Sequence, residues 1–258
     1  MNKIISICNQ KGGVGKTTTS INTAAGLAAL EKKVLLVDLD PQSNASQGMG
    51  FGVKNDNDLY SALVWDPNSL TNEKVKSVIQ KTELHYLDIM PCSQDLAGIE
   101  VELSDETNKE QRLANVLSVI KSDYEFILLD SPPSLNLLTI NVLTASDSVL
   151  IPIQCEYYAL AGLAELLKII HLVKNNFNSN LSIEGALLTM YDGRLNLSKQ
   201  VVDDVQSNFS GNVFKTIIPR SVRLSEAPSF GKPIILYDIM SIGAVRYLEL
   251  AKEIISNG

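Results

Sequence analysis

The sequence predicts an α/β fold: a single domain over residues 1–258, in which a mostly parallel, twisted sheet is flanked by helices on both faces. Two observations predict it. Short, continuous apolar runs are typical of strands buried on both faces of a sheet, and they alternate along the chain with segments of helical periodicity. Such alternation indicates βαβ units, whose right-handed crossovers cover both faces with helices. The sequence shows no repeat, low-complexity tract or Pro/Gly/Ser-rich linker.

The apolar patterns predict the elements in chain order. Strands are predicted where apolar residues run continuously, at 3–8, 33–37, 86–90, 125–129, 148–153, 183–190 and 213–218. Helices are predicted where apolar residues recur every three or four positions, at 17–30, 111–120, 159–173 and 244–255. The polar segment 52–72 and the acidic segment 100–110 are predicted to be surface insertions.

Composition and charge narrow the function classes. No apolar run approaches the roughly 20 residues needed to span a bilayer, and the first residues lack the pattern of a signal peptide, so we expect a cytoplasmic location. The cysteines Cys8, Cys92 and Cys155 are too widely spaced to indicate a disulfide framework or a zinc site. The net charge of −7 argues against binding of nucleic acid over the whole surface. Residues 185–258, with eight Lys or Arg against seven Asp or Glu, can still form a local basic face.

The segment NQKGGVGKTTT (residues 9–19) lies between the first predicted strand and the first predicted helix. In that position a glycine-rich run lets successive backbone N–H groups wrap around phosphate oxygens, and the helix N-terminus adds a partial positive charge. A lysine there reaches the β- and γ-phosphates, and the following hydroxyl ligates Mg²⁺. The loop therefore predicts a P-loop NTPase that binds a nucleoside triphosphate and Mg²⁺. Its predicted nucleotide-binding residues are Gly12, Gly13, Val14, Gly15, Lys16, Thr17 and Thr18, with Thr17 also a metal ligand.

The loop departs from the standard pattern G-x-x-x-x-G-K-[ST]. Gln10 stands where the pattern requires glycine, and a second lysine, Lys11, follows it. A dinucleotide-binding loop is the competing interpretation, but the pair Lys16 and Thr17 suits a triphosphate with Mg²⁺ better. A glycine-rich turn without a ligand is the other alternative.

Three acidic residues stand where predicted strands end. Asp38 and Asp40 follow the strand at 33–37, and Asp130 follows the strand at 125–129. Ligands of open α/β sheets bind outside the carboxyl ends of the strands, so these carboxylates can converge on the loop. We expect Asp130 to act on Mg²⁺ through water, with Asp38 beside it, and Asp40 to orient the attacking water. The alternative for each is a carboxylate that caps a turn or helix.

Three segments together resemble the ParA/Soj partition ATPases, which are deviant Walker A ATPases related to MinD. They are NQKGGVGKTTT, VDLDPQSN (37–44) and FILLDSPPS (126–134), and the similar segments 150–163, 218–234 and 243–254 extend the resemblance over nearly the whole chain. It implies an ATP-dependent DNA-partitioning switch with ATP and Mg²⁺ as cofactors. Such a switch forms an ATP-sandwich homodimer, binds double-stranded DNA non-specifically and hydrolyses ATP slowly until a ParB/Spo0J-type partner stimulates it. Its cargo is a chromosome or a plasmid.

The resemblance also implies roles for individual residues. Lys11 matches the signature lysine, which reaches across the dimer to the phosphates of the partner's ATP, and Asp40 matches the catalytic aspartate. The implied catalytic residues are therefore Lys11, Lys16 and Asp40. Pro219 falls in a loop beside the adenine, and Met190 is a further candidate at the nucleotide.

DNA binding in this family uses basic residues late in the chain. Arg194 and Arg223 lie in matching segments, and Arg246 follows them, so all three are candidates for salt-sensitive phosphate contacts. This implies a nucleoid-associated location. Relatives often carry more basic residues at the segment that is 237–243 here, where this chain has none.

Two alternatives come from other classes. A MinD-like, membrane-associated positioning ATPase needs a basic amphipathic helix at its C-terminus, and residues 248–258 are acidic to neutral, so no membrane partner is expected. A nitrogenase-reductase-like electron donor needs two cysteines that share an iron–sulfur cluster with the partner subunit. Cys92 and Cys155 do not lie in segments that match.

Overall fold

The apolar runs form the strands of one sheet in the computed structural model, which describes residues 2–52, 58–134, 136–156 and 161–257. Within those residues the strands are β1 (Lys3–Ile7), β2 (Val34–Asp38), β3 (Gln80–Lys81), β4 (Leu87–Met90), β5 (Phe126–Asp130), β6 (Ser148–Gln154) and β7 (Ser182–Thr189). Their order across the sheet is β3-β4-β2-β5-β1-β6-β7. Every neighbouring pair is parallel except β3 and β4. This confirms the predicted mostly parallel sheet.

The helices fall between the strands, as alternation predicts. They are α1 (Lys16–Ala29), α2 (Asn44–Gly48), α3 (Leu59–Val64), α4 (Asn72–Lys76), α5 (Ile99–Glu102), α6 (Arg112–Ser118), α7 (Leu137–Ala145), α8 (Ala161–Asn176), α9 (Asn196–Asn208), α10 (Val222–Glu226), α11 (Ile234–Tyr237) and α12 (Ile242–Asn257). In the part of the chain that the structure covers, none of these helices has the length and apolar character that a membrane span requires.

Two apolar cores lie on opposite faces of the sheet. Along β2 the side chains alternate between them because successive residues of a strand point to opposite faces. Val34 and Leu36 pack in the core that α1 and α12 cover. Leu35 and Val37 pack in the core that α6, α7 and α8 cover. Helices therefore flank both faces, as predicted, and β2 is buried along its whole length.

The register of the central strands brings three chain segments to one edge. Asp130 at the end of β5 lies opposite Ile7 of β1 on one side and opposite Asp38 of β2 on the other. The three strands are parallel, so the segments that follow them start side by side at their carboxyl ends. This edge is where the predicted site residues converge.

The structure departs from the sequence prediction at 213–218, which forms no strand. Val213 makes one isolated bridge to Ala186 of β7. Farther along, the backbone N–H groups of Lys215 and Thr216 donate to the carboxylate of Glu253 on α12, at 2.7 and 3.1 Å. These two donors are thereby turned toward a side chain, so the apolar run lies beside β7 without extending the sheet.

The predicted surface insertion at 52–72 is also only partly correct. Residues 53–57 lie outside the described residues, but Leu59, Ala62 and Leu63 of α3 are buried in the core. The predicted helix at 159–173 corresponds to α8, and its first predicted residues, 159 and 160, likewise lie outside the described part.

Candidate nucleotide-binding site

The glycine-rich loop joins the end of β1 to the start of α1. Gly13 and Gly15 have φ angles of 74° and 88°, in the left-handed region that residues with a Cβ rarely adopt. A Cβ added at Gly12 or Gly13 would meet no atom within 4 Å. The loop therefore turns sharply and presents bare backbone toward open space, as a phosphate cradle requires.

Side chains and neighbouring strands hold this loop in place. The Asn9 amide donates to the carbonyl of Pro152 in β6 at 2.7 Å, and the Asn9 side-chain oxygen accepts the N–H of Lys11 at 3.0 Å. The Thr189 hydroxyl at the end of β7 donates to the carbonyl of Val14 at 2.9 Å. The Val14 side chain is buried, so only its backbone is available to a ligand. The contribution of Thr189 could not be predicted from the sequence, because it depends on the order of the strands in the sheet.

A cavity of about 500 Å³ lies against the loop. Its walls bring together most of the predicted nucleotide and catalytic residues: Gly12, Gly13, Gly15, Lys16, Thr17, Thr18, Asp40 and Met190. The convergence of the segments after β1 and β2 at one edge of the sheet is therefore observed.

Lys16 is nearly buried at 7% exposure, and its Nζ donates to the carbonyl of Lys11 at 3.3 Å. Burial lowers the pKa of Lys16, and the nearby charge of Asp130 opposes this effect. An ammonium group removed from water gains strongly from an anion placed beside it. This position suits a phosphate ligand.

Asp130 is fully buried below the loop. Its Oδ1 accepts the Ser20 hydroxyl at 2.8 Å, whereas its Oδ2 has no hydrogen-bond partner among the described residues. Burial, with the charge of Asp38, raises the pKa of Asp130 to about 8, and the Ser20 and Thr17 hydroxyls oppose the shift. An orphaned buried carboxylate oxygen is rare, and a water-bound cation next to Thr17 would satisfy it. The residues present fit Mg²⁺.

Asp38 has both carboxylate oxygens occupied by its own chain. Its Oδ1 accepts the N–H of Asp40 at 3.1 Å, and its Oδ2 accepts the N–H and the hydroxyl of Ser46, both at 2.7 Å. Burial raises the pKa of Asp38 to about 6. These contacts favour a role in shaping the segment that carries Asp40 over the predicted role beside the metal.

Asp40 lines the same cavity as the loop and is 7% exposed. Its Oδ1 accepts the N–H of Gln42 at 3.0 Å, and its carbonyl accepts the Cys92 thiol at 3.0 Å. The backbone around Asp40 is thus tied to Asp38 on one side and to the end of β4 on the other. A carboxylate held in this way can orient a water molecule in the cavity.

Met190 and Pro219 lie at a second cavity of about 150 Å³ that adjoins the first at Gly15 and Thr18. Met190 has a φ angle of 52°, an uncommon conformation that tends to occur at functional sites. An isolated parallel bridge joins Pro219 to Tyr191. The structure therefore places both sequence-predicted candidates around one apolar slot beside the loop.

Lys11 does not extend into the cavity. Its Nζ lies 3.7 Å from Glu156 Oε2, and its side chain is 37% exposed. The two lysines of the loop are therefore separated: Lys16 is directed at the subunit's own site and Lys11 lies at the surface. The sequence did not single out Glu156.

Of the three predicted DNA-binding arginines, Arg194 and Arg223 are exposed and Arg246 is half-buried, and each pairs with a nearby carboxylate. Arg194 pairs with Asp192 at 2.6 Å, and Arg246 pairs with Glu249 at 2.6 Å. Arg223 pairs with Glu226 at 3.2 Å and Asp238 at 3.5 Å. None of the three lines either cavity. Their positions at the surface fit contact with a macromolecule.

The fold and the loop define a P-loop nucleoside triphosphatase. A family model described as "AAA domain" matches residues 2–183. The sporulation initiation inhibitor protein Soj of Bacillus subtilis (strain 168) is 54% identical over 100% of both chains. The chromosome partitioning protein ParA of Myxococcus xanthus (strain DK1622) is 53% identical over 98% of this chain and 87% of its own length. The chain belongs to the Soj/ParA family of chromosome-partitioning ATPases.

A solved structure has the same fold. The crystal structure of cobyrinic acid a,c-diamide synthase from Mycobacterium smegmatis, with bound ADP and magnesium, has a TM-score of 0.85 and 31% sequence identity. The match covers 100% of this chain and 95% of that one. The predicted family, fold class and ATPase activity are confirmed. The predicted cofactors, ATP and Mg²⁺, agree with a second structure of that enzyme, which has a bound ATP analogue and magnesium and the same TM-score of 0.85.

Proposed function

We propose that this chain is an ATP-dependent switch that segregates DNA: it binds Mg-ATP, dimerises around it, and holds DNA only as the dimer. The observation that carries the proposal is the separation of the two loop lysines. Lys16 faces the subunit's own cavity, while Lys11 lies at the surface with its amine outside that cavity. The name of the ParA relative supports a role in chromosome partitioning.

ATP and Mg²⁺ are the cofactors of this site. The bare backbone of Gly12 and Gly13, the start of α1 and the Lys16 ammonium group bind the phosphates. Thr17 and Asp130 hold Mg²⁺, Asp130 through water. The bound ion neutralises charge that develops on the phosphate oxygens during transfer. The apolar slot around Met190 and Pro219 takes the base.

Asp40 orients the attacking water in this proposal. Its carboxylate lies in the wall of the phosphate cavity, and hydrogen bonds from Gln42 and Cys92 fix its segment. Hydrolysis by the chain alone is slow, because a switch must persist in its ATP state until a partner acts. We expect a ParB/Spo0J-type protein to supply the stimulation.

Lys11 is the group that makes dimerisation depend on ATP. Two facing nucleotide sites bring many negative charges together, and a lysine contributed from each subunit to the other offsets their repulsion. The Lys11 side chain is 37% exposed and its amine lies 3.7 Å from Glu156 Oε2, so it reaches a second molecule by exchanging that carboxylate for a phosphate.

DNA contacts come from Arg194, Arg223 and Arg246. Each arginine is already paired with a carboxylate, so a DNA phosphate must replace that partner, and a single subunit gains little from the exchange. The homodimer doubles the number of contacts and so gives non-specific, salt-sensitive binding. Such a protein resides in the cytoplasm on nucleoid DNA.

The Lys11 step is tested by Lys11→Ala. We expect the variant to bind ATP as a monomer with native affinity and to remain monomeric at ATP concentrations that dimerise the native chain. Fluorescence of a labelled ATP analogue measures the first property, and sedimentation velocity measures the second. Dimerisation equal to that of the native chain would show that Lys11 does not act across the interface.

A further inference from the structure

Two cations from separate parts of the chain, Lys11 and Arg220, lie close to the carboxylate of Glu156. The Lys11 Nζ from the phosphate loop lies 3.7 Å from Glu156 Oε2. An Arg220 guanidinium nitrogen lies 3.5 Å from Glu156 Oε1. Glu156 therefore bridges two cations, one from the phosphate loop and one from the lining of the smaller cavity.

The position of Glu156 is fixed by the end of β6. Its N–H donates to the carbonyl of Gln154 at 2.8 Å, and the Gln154 amide donates to Glu156 Oε1 at 2.5 Å. The preceding residue, Cys155, is buried and donates its N–H to Thr189 of β7 at 3.0 Å. The carboxylate is thus held in place beside the loop.

Arg220 connects this bridge to the slot proposed for the base. Arg220 lines the cavity of about 150 Å³ together with Met190 and Pro219. Its N–H donates to the carbonyl of Tyr191 at 3.0 Å, which ties its backbone to the end of β7. A ligand in that slot therefore lies next to one end of the bridge, and phosphates on the loop lie next to the other.

We propose that Glu156 is a positioning residue that holds Lys11 on its own subunit until ATP and a second subunit replace it. The inference rests on the proposed role of Lys11 across the dimer. A lysine amine held by Glu156 is not available to another molecule's phosphates, so each dimer that forms must break two of these pairs. Glu156 thereby raises the protein concentration at which the chain dimerises and keeps the nucleotide-free chain monomeric.

The expected size of the effect follows from the exposure of the pair. Lys11 and Glu156 have side chains that are 37% and 47% exposed. An exposed pair of this kind changes an equilibrium constant by about two- to five-fold. Two pairs break per dimer, so removing both lowers the dimer dissociation constant by roughly four- to 25-fold. Salt screens such pairs, so the change must shrink as ionic strength rises.

The test is Glu156→Gln, which removes the charge and keeps the shape. Dimerisation is measured by sedimentation velocity with ATPγS, which limits hydrolysis, at about 0.05 M and about 0.5 M salt. The matched control is Glu125→Gln. Glu125 forms a half-exposed pair with Lys32 at 3.0 Å before β5, at the opposite edge of the sheet. Thermal unfolding of both variants verifies that they fold as the native chain does.

We expect Glu156→Gln to dimerise at a lower protein concentration than the native chain at low salt, and we expect this difference to be nearly lost at high salt. The control should dimerise as the native chain does, and all three monomers should bind ADP equally. An unchanged or weaker dimer of Glu156→Gln in low salt overturns the inference. If the native chain dimerises but Lys11→Ala does so equally well, the proposed role of Lys11 fails instead, and this inference falls with it.

Discussion

Lys16 and Arg223 are both cations assigned to phosphate, and their surroundings differ. Lys16 is 7% exposed, and its amine donates to a backbone carbonyl. The Arg223 side chain is 57% exposed and pairs with Glu226 and Asp238. The buried cation is ready for a ligand and gains from the low dielectric around it. The exposed one must exchange one anion for another in water.

This difference assigns the two regions different tasks. A buried, preorganised site binds one small ligand tightly, and removing its cation abolishes the binding of that ligand. An exposed, already neutralised arginine gives a weak contact that matters only when several act together. ATP binding at the first region can therefore control DNA binding at the second, because dimerisation multiplies the weak contacts.

The largest effect is expected at Lys16. Lys16→Ala should abolish measurable ATP binding, because the buried phosphate site loses its cation. Calorimetric titration with ATP and Mg²⁺ measures it. Lys121→Ala, which breaks a half-exposed pair with Asp147, is the matched control and should bind ATP normally. Retained ATP affinity in Lys16→Ala would contradict the assignment of the loop.

Asp40→Ala should separate binding from hydrolysis. The variant should keep ATP affinity but hydrolyse ATP at least about 100-fold more slowly, because the attacking water loses its orienting base. Light scattering should then show a dimer that persists with ATP. A variant that stays monomeric with ATP, or hydrolyses it at the native rate, would remove Asp40 from the catalytic step.

The buried carboxylates should make the nucleotide-free protein less stable at high pH. The pKa of Asp130 is raised to about 8 and that of Asp38 to about 6, above unfolded values near 3.9. The folded state therefore binds more protons, and its stability falls as pH rises from about 4 to about 8. Asp130→Asn should remove much of this decline, about 2–4 kcal/mol between about pH 5 and about pH 8.

Urea unfolding without nucleotide at those two pH values measures the decline. The control is Asp123→Asn, at a carboxylate that lies near the surface and pairs with Lys76. It should keep the native pH dependence between these values. Equal declines in the native chain and in Asp130→Asn would show that Asp130 is not the group responsible.

The smallest effect per residue is expected at the arginine surface. Arg223→Glu should lower DNA affinity about tenfold at low salt and reduce the dependence of binding on salt. The ATP dimer should remain. Filter binding to random-sequence duplex DNA across a salt series measures both. Lys121→Glu introduces the same charge change on the opposite edge of the sheet, and an equal loss there would make the effect one of net charge alone.

The sequence predicted those parts of the site that depend on local order. Gly13 and Gly15 predict a loop with left-handed backbone conformations. Asp40 and Asp130 follow apolar runs that end at one edge of a parallel sheet. The sequence could not predict that the N–H and hydroxyl of Ser46 would donate to the Asp38 carboxylate, because that contact depends on how α2 packs against β2. The strand predicted at 213–218 was wrong because Glu253, distant in sequence, takes the N–H groups of its middle.

The same reason applies to Glu156 and Lys11. They are 145 positions apart in the sequence, and only the neighbouring positions of β1 and β6 in the sheet bring them together. By contrast, each surface arginine pairs with a carboxylate that lies within three positions of it in the sequence. Such a local pair can be predicted once the conformation of its segment is known.

Control of DNA binding by the nucleotide is tested by retention of the native chain on non-specific duplex DNA with ATP, with ADP and without nucleotide, at low salt. We expect retention with ATP only, and we expect Lys11→Ala not to be retained even with ATP. Equal retention in all three conditions would contradict the central claim, because the arginine surface would then bind DNA without control by the nucleotide site.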